Sequence, residues 1–174
     1  MIKLLLIDVD GTLTDGGITY DGNGIESKTF NVKDGLAMVS WQRLGGKIAI
    51  ITGRKSTLVE KRMNEINVTH LYQGIKDKPS QIETILKQEN LTHHECAAIG
   101  DDMNDLVMLK NAKYSFAPYD ANPFIYKSVT HPLQQKGANA AVATMIEQLI
   151  TLNNQTQAYL ALWANSEDLS WVGQ

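Results

Sequence analysis

The hydrophobic pattern along the chain alternates between short apolar runs and longer segments with helical spacing. Residues 2–7 are apolar except for Lys3, and an apolar run of this length is typical of a buried strand in a parallel sheet. Similar runs predict strands at residues 47–51, 70–72, 96–99 and 114–117. Helical segments are predicted between and after them, at 36–44, from Thr57, from Pro79, from Asn122 and at 139–152. Repeated β-α units of this size predict an α/β fold, a doubly wound Rossmann-like parallel sheet.

Turn residues mark where several of these elements begin and end. The glycine pair at 45–46 stops the first helix, and the spacing of Thr57 and Glu60 predicts a capping box at the start of the second. Residues 16–30 hold β-prone side chains on both sides of a glycine-containing turn, which predicts a β-hairpin flap. This hairpin leaves no room for a cap domain between the first strand and the polar loop at 31–35.

The chain is expected to form one domain over residues 1–152, followed by a C-terminal tail at 153–174. A length of 174 residues suits a single domain with a full core. The tail opens with a polar stretch at 153–157 and then carries aromatic and aliphatic residues at 159–163 and 171–172. So many apolar side chains in the tail predict that it packs against protein, either on the same subunit or, as we favour, against a neighbouring subunit.

Composition and charge exclude several classes of protein. With 16 basic and 19 acidic residues interspersed, the chain has no basic footprint for nucleic acid. The single cysteine, Cys96, allows no internal disulfide, which fits a reducing compartment. No apolar run approaches the roughly 18 residues of a membrane span, and no basic signal-peptide region precedes the first strand. A cytoplasmic protein with no nucleic-acid or membrane partner is therefore expected.

Polar side chains follow three of the predicted strands, at the point where each strand ends. Because the carboxyl ends of parallel strands meet along one rim of a sheet, we expect these side chains to lie close together. Lys78 precedes a helix in a loop that can reach the same rim. The residues that follow the first, second and fourth strands are Asp8 and Asp10, then Thr52, then Asp101, Asp102 and Asp105.

This density of carboxylates indicates a site for Mg²⁺, which prefers hard oxygen ligands and takes only a few carboxylates. Asp8, Asp10 and Asp101 are the predicted metal ligands. Asp102 and Asp105 are predicted to support the metal site from behind its ligands. For Asp105 a second interpretation is equally open, because an acidic side chain at a helix N-terminus is stabilised by the helix dipole.

Magnesium, a carboxylate nucleophile and cationic phosphate ligands together indicate phosphoryl transfer through an aspartyl-phosphate. Asp8 is the predicted nucleophile. Asp10 is predicted to protonate the leaving oxygen and then to accept a proton from the hydrolytic water. Thr52 and Lys78 are predicted to bind phosphoryl oxygens, although for either residue taken alone a turn hydroxyl or a surface lysine is the default interpretation.

Four ordered motifs resemble those of the haloacid dehalogenase superfamily. They are Asp8-x-Asp10-Gly-Thr, Thr52-Gly, Lys78 and Gly100-Asp-Asp-x-x-Asp105. Together with Thr14-Asp-Gly-Gly17 and Tyr72-Gln-Gly74, they resemble the lidless branch of 3-deoxy-D-manno-octulosonate 8-phosphate phosphatases. The resemblance implies a Mg²⁺-dependent phosphatase of lipopolysaccharide sugar synthesis that releases the eight-carbon keto sugar acid and phosphate. It also implies a homotetramer in which the hairpins assemble centrally.

The same resemblance implies a set of residues that bind the sugar acid. Either arginine of this set can pair with a carboxylate as a planar fork, and the alternative for both is a solvated surface position. The loop before the last helix, at 136–141, keeps a glycine but lacks the arginine that is usual in the family. The implied substrate-binding residues are Asn31, Lys33, Asp34, Gly35, Arg54 and Arg62.

Two alternative functions stay open on the sequence alone. One is a phosphatase for a nine-carbon keto sugar acid phosphate or a less selective hydrolase of small phosphates. The other is an inactive phosphatase-like assembly module. Retention of every charged motif residue argues against the inactive module.

Overall fold

A computed structural model describes residues 1–164 as an α/β fold built on a parallel sheet. In this part of the chain the sheet has six strands in the order β5-β4-β1-β6-β7-β8, and every neighbouring pair is parallel. The predicted fold class and the five predicted strands are confirmed; β8, only two residues long, was not predicted. The strands are β1 Leu4–Ile7, β4 Lys47–Thr52, β5 His70–Gln73, β6 Cys96–Ile99, β7 Tyr114–Ala117 and β8 His131–Pro132.

Helices cover both faces of this sheet, which is the doubly wound arrangement. Successive side chains of β1 point to opposite faces, so Leu5 and Ile7 join one buried cluster while Leu4 and Leu6 join the other. The first cluster also takes in α1 and α6, and the second takes in α3, α4 and α5. The helices are α1 Val32–Arg43, α2 Thr57–Glu65, α3 Lys78–Glu89, α4 Leu106–Asn111, α5 Pro123–Ser128, α6 Ala141–Leu152 and α7 Thr156–Ala164.

The predicted hairpin flap is present. Its strands, β2 Thr19–Tyr20 and β3 Glu26–Ser27, pair antiparallel. The Asp21 carboxylate accepts hydrogen bonds of 2.8 Å from the backbone N–H groups of Asn23 and Ile25, which stabilises the turn. Within residues 1–164, no separate domain interrupts the chain between the hairpin and β7.

The sequence prediction of the helices placed the start of the first helix four residues too late, assigned one cap wrongly and did not include α4. The first helix begins at Val32 rather than residue 36, because the Asn31 side chain accepts a hydrogen bond from the Lys33 N–H and acts as its N-cap. The predicted capping box at Thr57 was wrong: Thr57 lies inside α2, whose N-cap Ser56 makes no side-chain capping bond. Pro79 lies in the first turn of α3, as predicted.

The end of the domain is joined to its beginning. The Asn153 side chain accepts a hydrogen bond from the Ile2 N–H and donates one to the Ile2 carbonyl, both 2.8 Å. The start of the predicted tail is therefore attached to the domain, and Tyr159 on α7 packs against the core. The apolar residues predicted to pack at 171–172 lie outside the described residues. Within the described chain, no helix has the length and apolar character needed to cross a membrane.

Candidate active site

The carboxylates of two strand ends meet at the centre of the sheet. Asp8 directly follows β1 and Asp101 follows β6, and these two strands are neighbours in register. The Asp8 backbone N–H donates to the Ile99 carbonyl at 3.1 Å, which continues the pairing to the edge of the site. Carboxylate oxygens of Asp8, Asp101 and Asp105 all lie within 4.8 Å of one another. The convergence of acidic strand ends that the sequence predicted is present.

Lys78 lies between two of these carboxylates. Its ammonium donates to Asp8 Oδ1 and to Asp105 Oδ1, each at 2.6 Å, and its side chain is 2% exposed. The residue occupies the first position of α3, where Asp77 is the N-cap and holds the start of the helix in place. A buried ammonium is tolerated only with such partners, because an unpaired buried charge is strongly destabilising.

Asp105 orders the turn that carries Asp101. Its second oxygen, Oδ2, accepts from the backbone N–H groups of Asp101 at 3.1 Å and Asp102 at 3.4 Å. A side chain at Gly100 would collide with Asp105, since a Cβ there would lie 2.5 Å from the carboxyl carbon. Asp105 therefore orders the turn that carries Asp101, and it also lies directly before α4, where its side chain makes no capping hydrogen bond.

Burial and mutual repulsion raise the pKa of two carboxyl groups in this site. The pKa of Asp8 rises to about 7, mainly through burial and then through the Asp105 charge, against the opposing effect of Lys78. The pKa of Asp101 rises to about 8, again mainly through burial and then through the charges of Asp8 and Asp105. Such shifts mean that these carboxyl groups hold a proton near neutral pH unless an additional cation lies beside them.

The donor set suits Mg²⁺. Three carboxylates and one ammonium leave two negative charges when all are ionised, which a divalent cation neutralises, and all the ligand atoms are hard oxygens. Gly11, at φ +89°, lets the first turn approach Asp101 closely, because a Cβ there would lie 2.1 Å from Asp101 Oδ2. The predicted metal ligands Asp8 and Asp101 fit such a site.

Asp10, the third predicted metal ligand, is placed differently. Its side chain forms an ion pair with Lys28, which comes from the end of the hairpin. The structure brings the Asp10 carboxylate into contact with the hairpin, and the third member of the carboxylate cluster is Asp105.

Thr52 and Asp102 complete the predicted rim at its two sides. Thr52 is buried at the carboxyl end of β4, the strand next to β1. Asp102 is exposed; its carboxylate accepts from the Met103 N–H at 2.8 Å and from Asn122 Nδ2 at 3.1 Å. Asp102 therefore caps the short turn at 103–105 and ties it to the start of α5.

The predicted substrate loop divides into a part near the site and a part within the core. Asn31 donates from Nδ2 to the Ala138 carbonyl at 3.0 Å, which joins the loop to the segment before α6. Asp34 is buried and its Oδ1 accepts from the Ala143 N–H at 2.8 Å, at the start of α6. Lys33 stays exposed beside a cavity of about 420 Å³ between α1 and α6.

Asp34 and Arg62 therefore have structural contacts that the sequence did not suggest. Burial raises the pKa of Asp34 to about 6, and its Oδ2 is buried without a hydrogen-bond partner. Arg62 packs over Gly35, where a Cβ would lie 2.2 Å from its Nη2, and it forms an ion pair with Glu65 at 3.2 Å. These contacts fix the packing of α1 against α2 and α6.

Arg54 contacts the hairpin, and its side chain stays partly exposed to solvent. Its Nη2 donates to Glu26 Oε1 at 2.8 Å, and the Ser56 hydroxyl donates to Glu26 Oε2 at 2.8 Å. Sequence reasoning singled out neither Glu26 nor Lys28. The available signal was the charge at alternate positions of the hairpin's second strand, since side chains two residues apart share one face.

Comparison with known proteins agrees with this geometry. A family model described as haloacid dehalogenase-like hydrolase matches residues 71–146. The 3-deoxy-D-manno-octulosonate 8-phosphate phosphatase of Escherichia coli K12 is 36% identical over 149 residues, which cover 86% of this chain and 79% of the relative. The 3-deoxy-D-manno-octulosonate 8-phosphate phosphatase of Haemophilus influenzae Rd is 30% identical over 158 residues, which cover 91% of this chain and 88% of the relative.

Solved structures give the same result. The Moraxella catarrhalis 3-deoxy-D-manno-octulosonate 8-phosphate phosphatase, crystallised with magnesium, phosphate and the sugar acid, has a TM-score of 0.89 and 33% identity, covering 93% of each chain. The cobalt-bound Haemophilus influenzae phosphatase has a TM-score of 0.85 and 30% identity over 90% of this chain and 92% of its own. The chain belongs to the 3-deoxy-D-manno-octulosonate 8-phosphate phosphatase family of haloacid dehalogenase-like hydrolases, as its motifs predicted.

Proposed function

We propose that this chain is a Mg²⁺-dependent phosphatase that hydrolyses 3-deoxy-D-manno-octulosonate 8-phosphate to the free keto sugar acid and inorganic phosphate. The observation that carries the proposal is the buried arrangement of Asp8, Asp101 and Asp105 around the Lys78 ammonium. Phosphate monoesters are among the slowest substrates to hydrolyse in water. This chemistry requires a nucleophile held next to positive charge, and here the Asp8 carboxylate lies next to the Lys78 ammonium in a site that also suits a metal cation.

The proposed reaction has two steps that share one carboxylate nucleophile. In the first, an Asp8 oxygen attacks phosphorus, the bond from phosphorus to the sugar oxygen breaks, and its electron pair goes to that oxygen. Asp10 gives the departing oxygen a proton. In the second, water attacks phosphorus and gives a proton to Asp10, and the Asp8–phosphorus bond breaks with its electron pair returning to Asp8.

The remaining residues of the site bind and orient the phosphoryl group. Lys78 and Thr52 hold phosphoryl oxygens, and Lys78 also keeps the Asp8 carboxylate in place through its 2.6 Å contact. Asp8 and Asp101 would hold Mg²⁺, with Asp10 as the third predicted contributor and Asp102 and Asp105 supporting the turn. When bound, the ion supplies charge neutralisation between the carboxylates and the phosphoryl oxygens.

Recognition of the sugar acid is assigned to residues near the mouth of the site. Arg54 lies beside the hairpin with its side chain partly exposed and its Nη1 without a hydrogen-bond partner, and a planar guanidinium suits a carboxylate. Asn31 and Lys33, at the start of α1, are proposed to line the sugar. Gly35, which the resemblance grouped with them, is buried under Arg62 in the first turn of α1. Arg62 and Asp34 contribute indirectly, because their contacts hold the start of α1 against α2 and α6.

A cytoplasmic homotetramer is also proposed. Ile18, Tyr20 and Ile25 on the hairpin are exposed large hydrophobic residues. An isolated two-stranded hairpin is only marginally stable in water, so burial of this face against other subunits would stabilise it. The cytoplasmic location is proposed because a single cysteine allows no internal disulfide, which fits a reducing compartment.

The test is phosphate release from a panel of eight-carbon and nine-carbon keto sugar acid phosphates and simple phosphate esters, with Mg²⁺ or with EDTA. We expect the highest kcat/KM for the eight-carbon substrate and no turnover in EDTA. Asp8→Asn should abolish turnover while the thermal melting curve keeps a single cooperative transition. A preference for the nine-carbon substrate would reassign the sugar, and absence of turnover on every ester would indicate an assembly module.

A further inference from the structure

The hairpin presents its charged residues inward and its apolar residues outward. Glu26 and Lys28 alternate with Ile25 and Ser27, and only the charged pair is shielded from solvent. A strand with one face on the protein ordinarily has its apolar residues inside. The inverted pattern means that the inward face of this hairpin meets something polar, and that surface is the first turn of the active site.

Lys28 is the more buried of the two. Its side chain is 1% exposed, its ammonium donates to Asp10 Oδ1, and Glu26 Oε1 lies 3.6 Å away. Burying an ammonium is costly unless it is paired, so these contacts determine where the side chain lies. Through the same ion pair they restrict the position of the Asp10 carboxyl group, which remains partly exposed.

The contacts continue from Lys28 to the approach of α2. Glu26 accepts from Arg54 and from Ser56, each at 2.8 Å. The hairpin thus connects the Asp10 carboxyl group with the arginine proposed to bind the sugar carboxylate. This chain of contacts joins three segments: the turn after β1, the hairpin, and the connection between β4 and α2.

We propose that Lys28 is a positioning residue for the phosphatase reaction, holding the Asp10 carboxyl group on the leaving-group side of the site. The inference rests on the proposed function and goes beyond it, because it makes protonation of the departing oxygen depend on the hairpin. The competing interpretation is that the ion pair only anchors the hairpin. The two interpretations differ in which substrates are affected by loss of Lys28.

Substrates whose leaving groups differ in acidity distinguish a positioning role of Lys28 from simple anchoring of the hairpin. When the phosphorus–oxygen bond breaks, its electron pair goes to the leaving oxygen; an alkoxide then needs the Asp10 proton, whereas a nitrophenolate is stable without it. Well-placed general acids contribute about 10²- to 10⁴-fold, and an error of about 1 Å in placement can cost about 10²-fold. Since kcat/KM covers only the steps up to the first irreversible one, it reports leaving-group departure without the later hydrolysis.

The experiment measures kcat/KM with Mg²⁺ for p-nitrophenyl phosphate and for alkyl phosphates, the sugar acid phosphate included. The variants are Lys28→Met and Lys28→Gln, with Lys28→Arg as the conservative replacement. Lys3→Met is the matched control, because Lys3 also pairs with a glutamate, Glu95 at 2.7 Å, at the opposite end of β1. Melting temperatures of all variants show which of them are folded.

We expect Lys28→Met to lower kcat/KM about 10²-fold for alkyl phosphates and less than about 5-fold for p-nitrophenyl phosphate. Lys28→Arg should recover most of the alkyl activity, and Lys3→Met should match the wild type. If Lys28→Met does not fold, the same criterion applies to Lys28→Gln. Equal losses of kcat/KM on both substrate types overturn the positioning role of Lys28 and leave the proposed function standing. A wild type that is inactive on every ester overturns the proposed function itself.

Discussion

Replacing Lys78 by methionine removes the buried ammonium and leaves most of the side-chain volume in place. Asp8 and Asp105 then lose their shared partner, which contacts both of them at 2.6 Å. Asp105 is fully buried, so its carboxylate has no access to solvent that would compensate for the loss. The variant therefore leaves an unpaired charge in the core beside two other carboxylates.

The size of the effect follows from measured losses of one partner from buried ion pairs. Such losses destabilise by about 3–5 kcal/mol, and for a domain of this length each kcal/mol lowers the melting temperature by about 2–4 °C. We therefore expect Lys78→Met to melt roughly 10 °C below the wild type at about pH 8 in EDTA. The ammonium lowers the pKa of Asp8, so its removal lets Asp8 bind a proton more readily. The deficit should consequently shrink at about pH 5.

Melting by circular dichroism at both pH values, with EDTA or Mg²⁺, measures these differences. Mg²⁺ should raise the melting temperature of Lys78→Met more than that of the wild type, because the variant's site carries one more negative charge. Lys47→Met is the matched control: Lys47 is partly exposed and its partner Glu89 keeps His70 as a second partner, so we expect the loss of this ion pair to cost about 0–1 kcal/mol. Phosphate release measured on the same samples should be lost in Lys78→Met and retained in Lys47→Met.

Three results would refute this reasoning about Lys78. The first is a melting temperature within about 2 °C of the wild type at pH 8 in EDTA, which corresponds to less than about 1 kcal/mol. The second is a difference in melting temperature between Lys78→Met and the wild type that grows as the pH falls, because protonation of the carboxylates should reduce it. The third is normal turnover, which would show that the ammonium neither orients Asp8 nor binds the phosphoryl group.

Three further predictions concern stability and assembly. The pKa of Asp34 is raised from 3.8 to about 6, so its stabilising contribution is present below about pH 4 and lost as the pH rises through 6. The free energy of unfolding of Asp34→Asn, measured in urea relative to the wild type, should therefore increase by roughly 3 kcal/mol between about pH 4 and about pH 6. A difference that stays constant with pH would contradict this prediction. Asn153→Ala should cost about 1–3 kcal/mol in the same assay, because both backbone groups of Ile2 lose their partner, and an unchanged midpoint would argue against this anchor. Ile25→Glu should shift the sedimentation profile toward smaller species if the hairpins assemble, while a wild type that is already monomeric would refute the proposed tetramer.

The candidate site shows how far positional reasoning extends. Asp8 and Asp101 were placed together from two facts, that each follows a buried strand and that parallel strands end along one rim. Lys78 reached the site as predicted because its helix begins at that rim. Asp10 also lies on the rim, but the residues next to it in sequence do not indicate its ion-pair partner, Lys28, which comes from the hairpin.

Residues of the predicted substrate loop illustrate the opposite case. Asp34 and Arg62 were selected by resemblance, and in the fold they connect helices: Asp34 accepts from the start of α6 and Arg62 covers Gly35. Both contacts join segments far apart in sequence, 109 residues apart for Asp34 and Ala143. Hydrophobic spacing shows which face of α1 is buried, but it does not identify which helix covers that face.

From the amino-acid sequence alone it was possible to predict buried strands that end in acidic turns, a hairpin that leaves no room for a cap domain, and a lysine in a loop just before a helix. These features are local, because backbone conformation and period depend on nearby residues. The tertiary structure alone decided that Lys28 holds Asp10, that Asp105 joins the carboxylate cluster and that Asn153 is tied to Ile2. Those contacts depend on packing between distant segments, and packing is set by the whole core rather than by any single stretch of the chain.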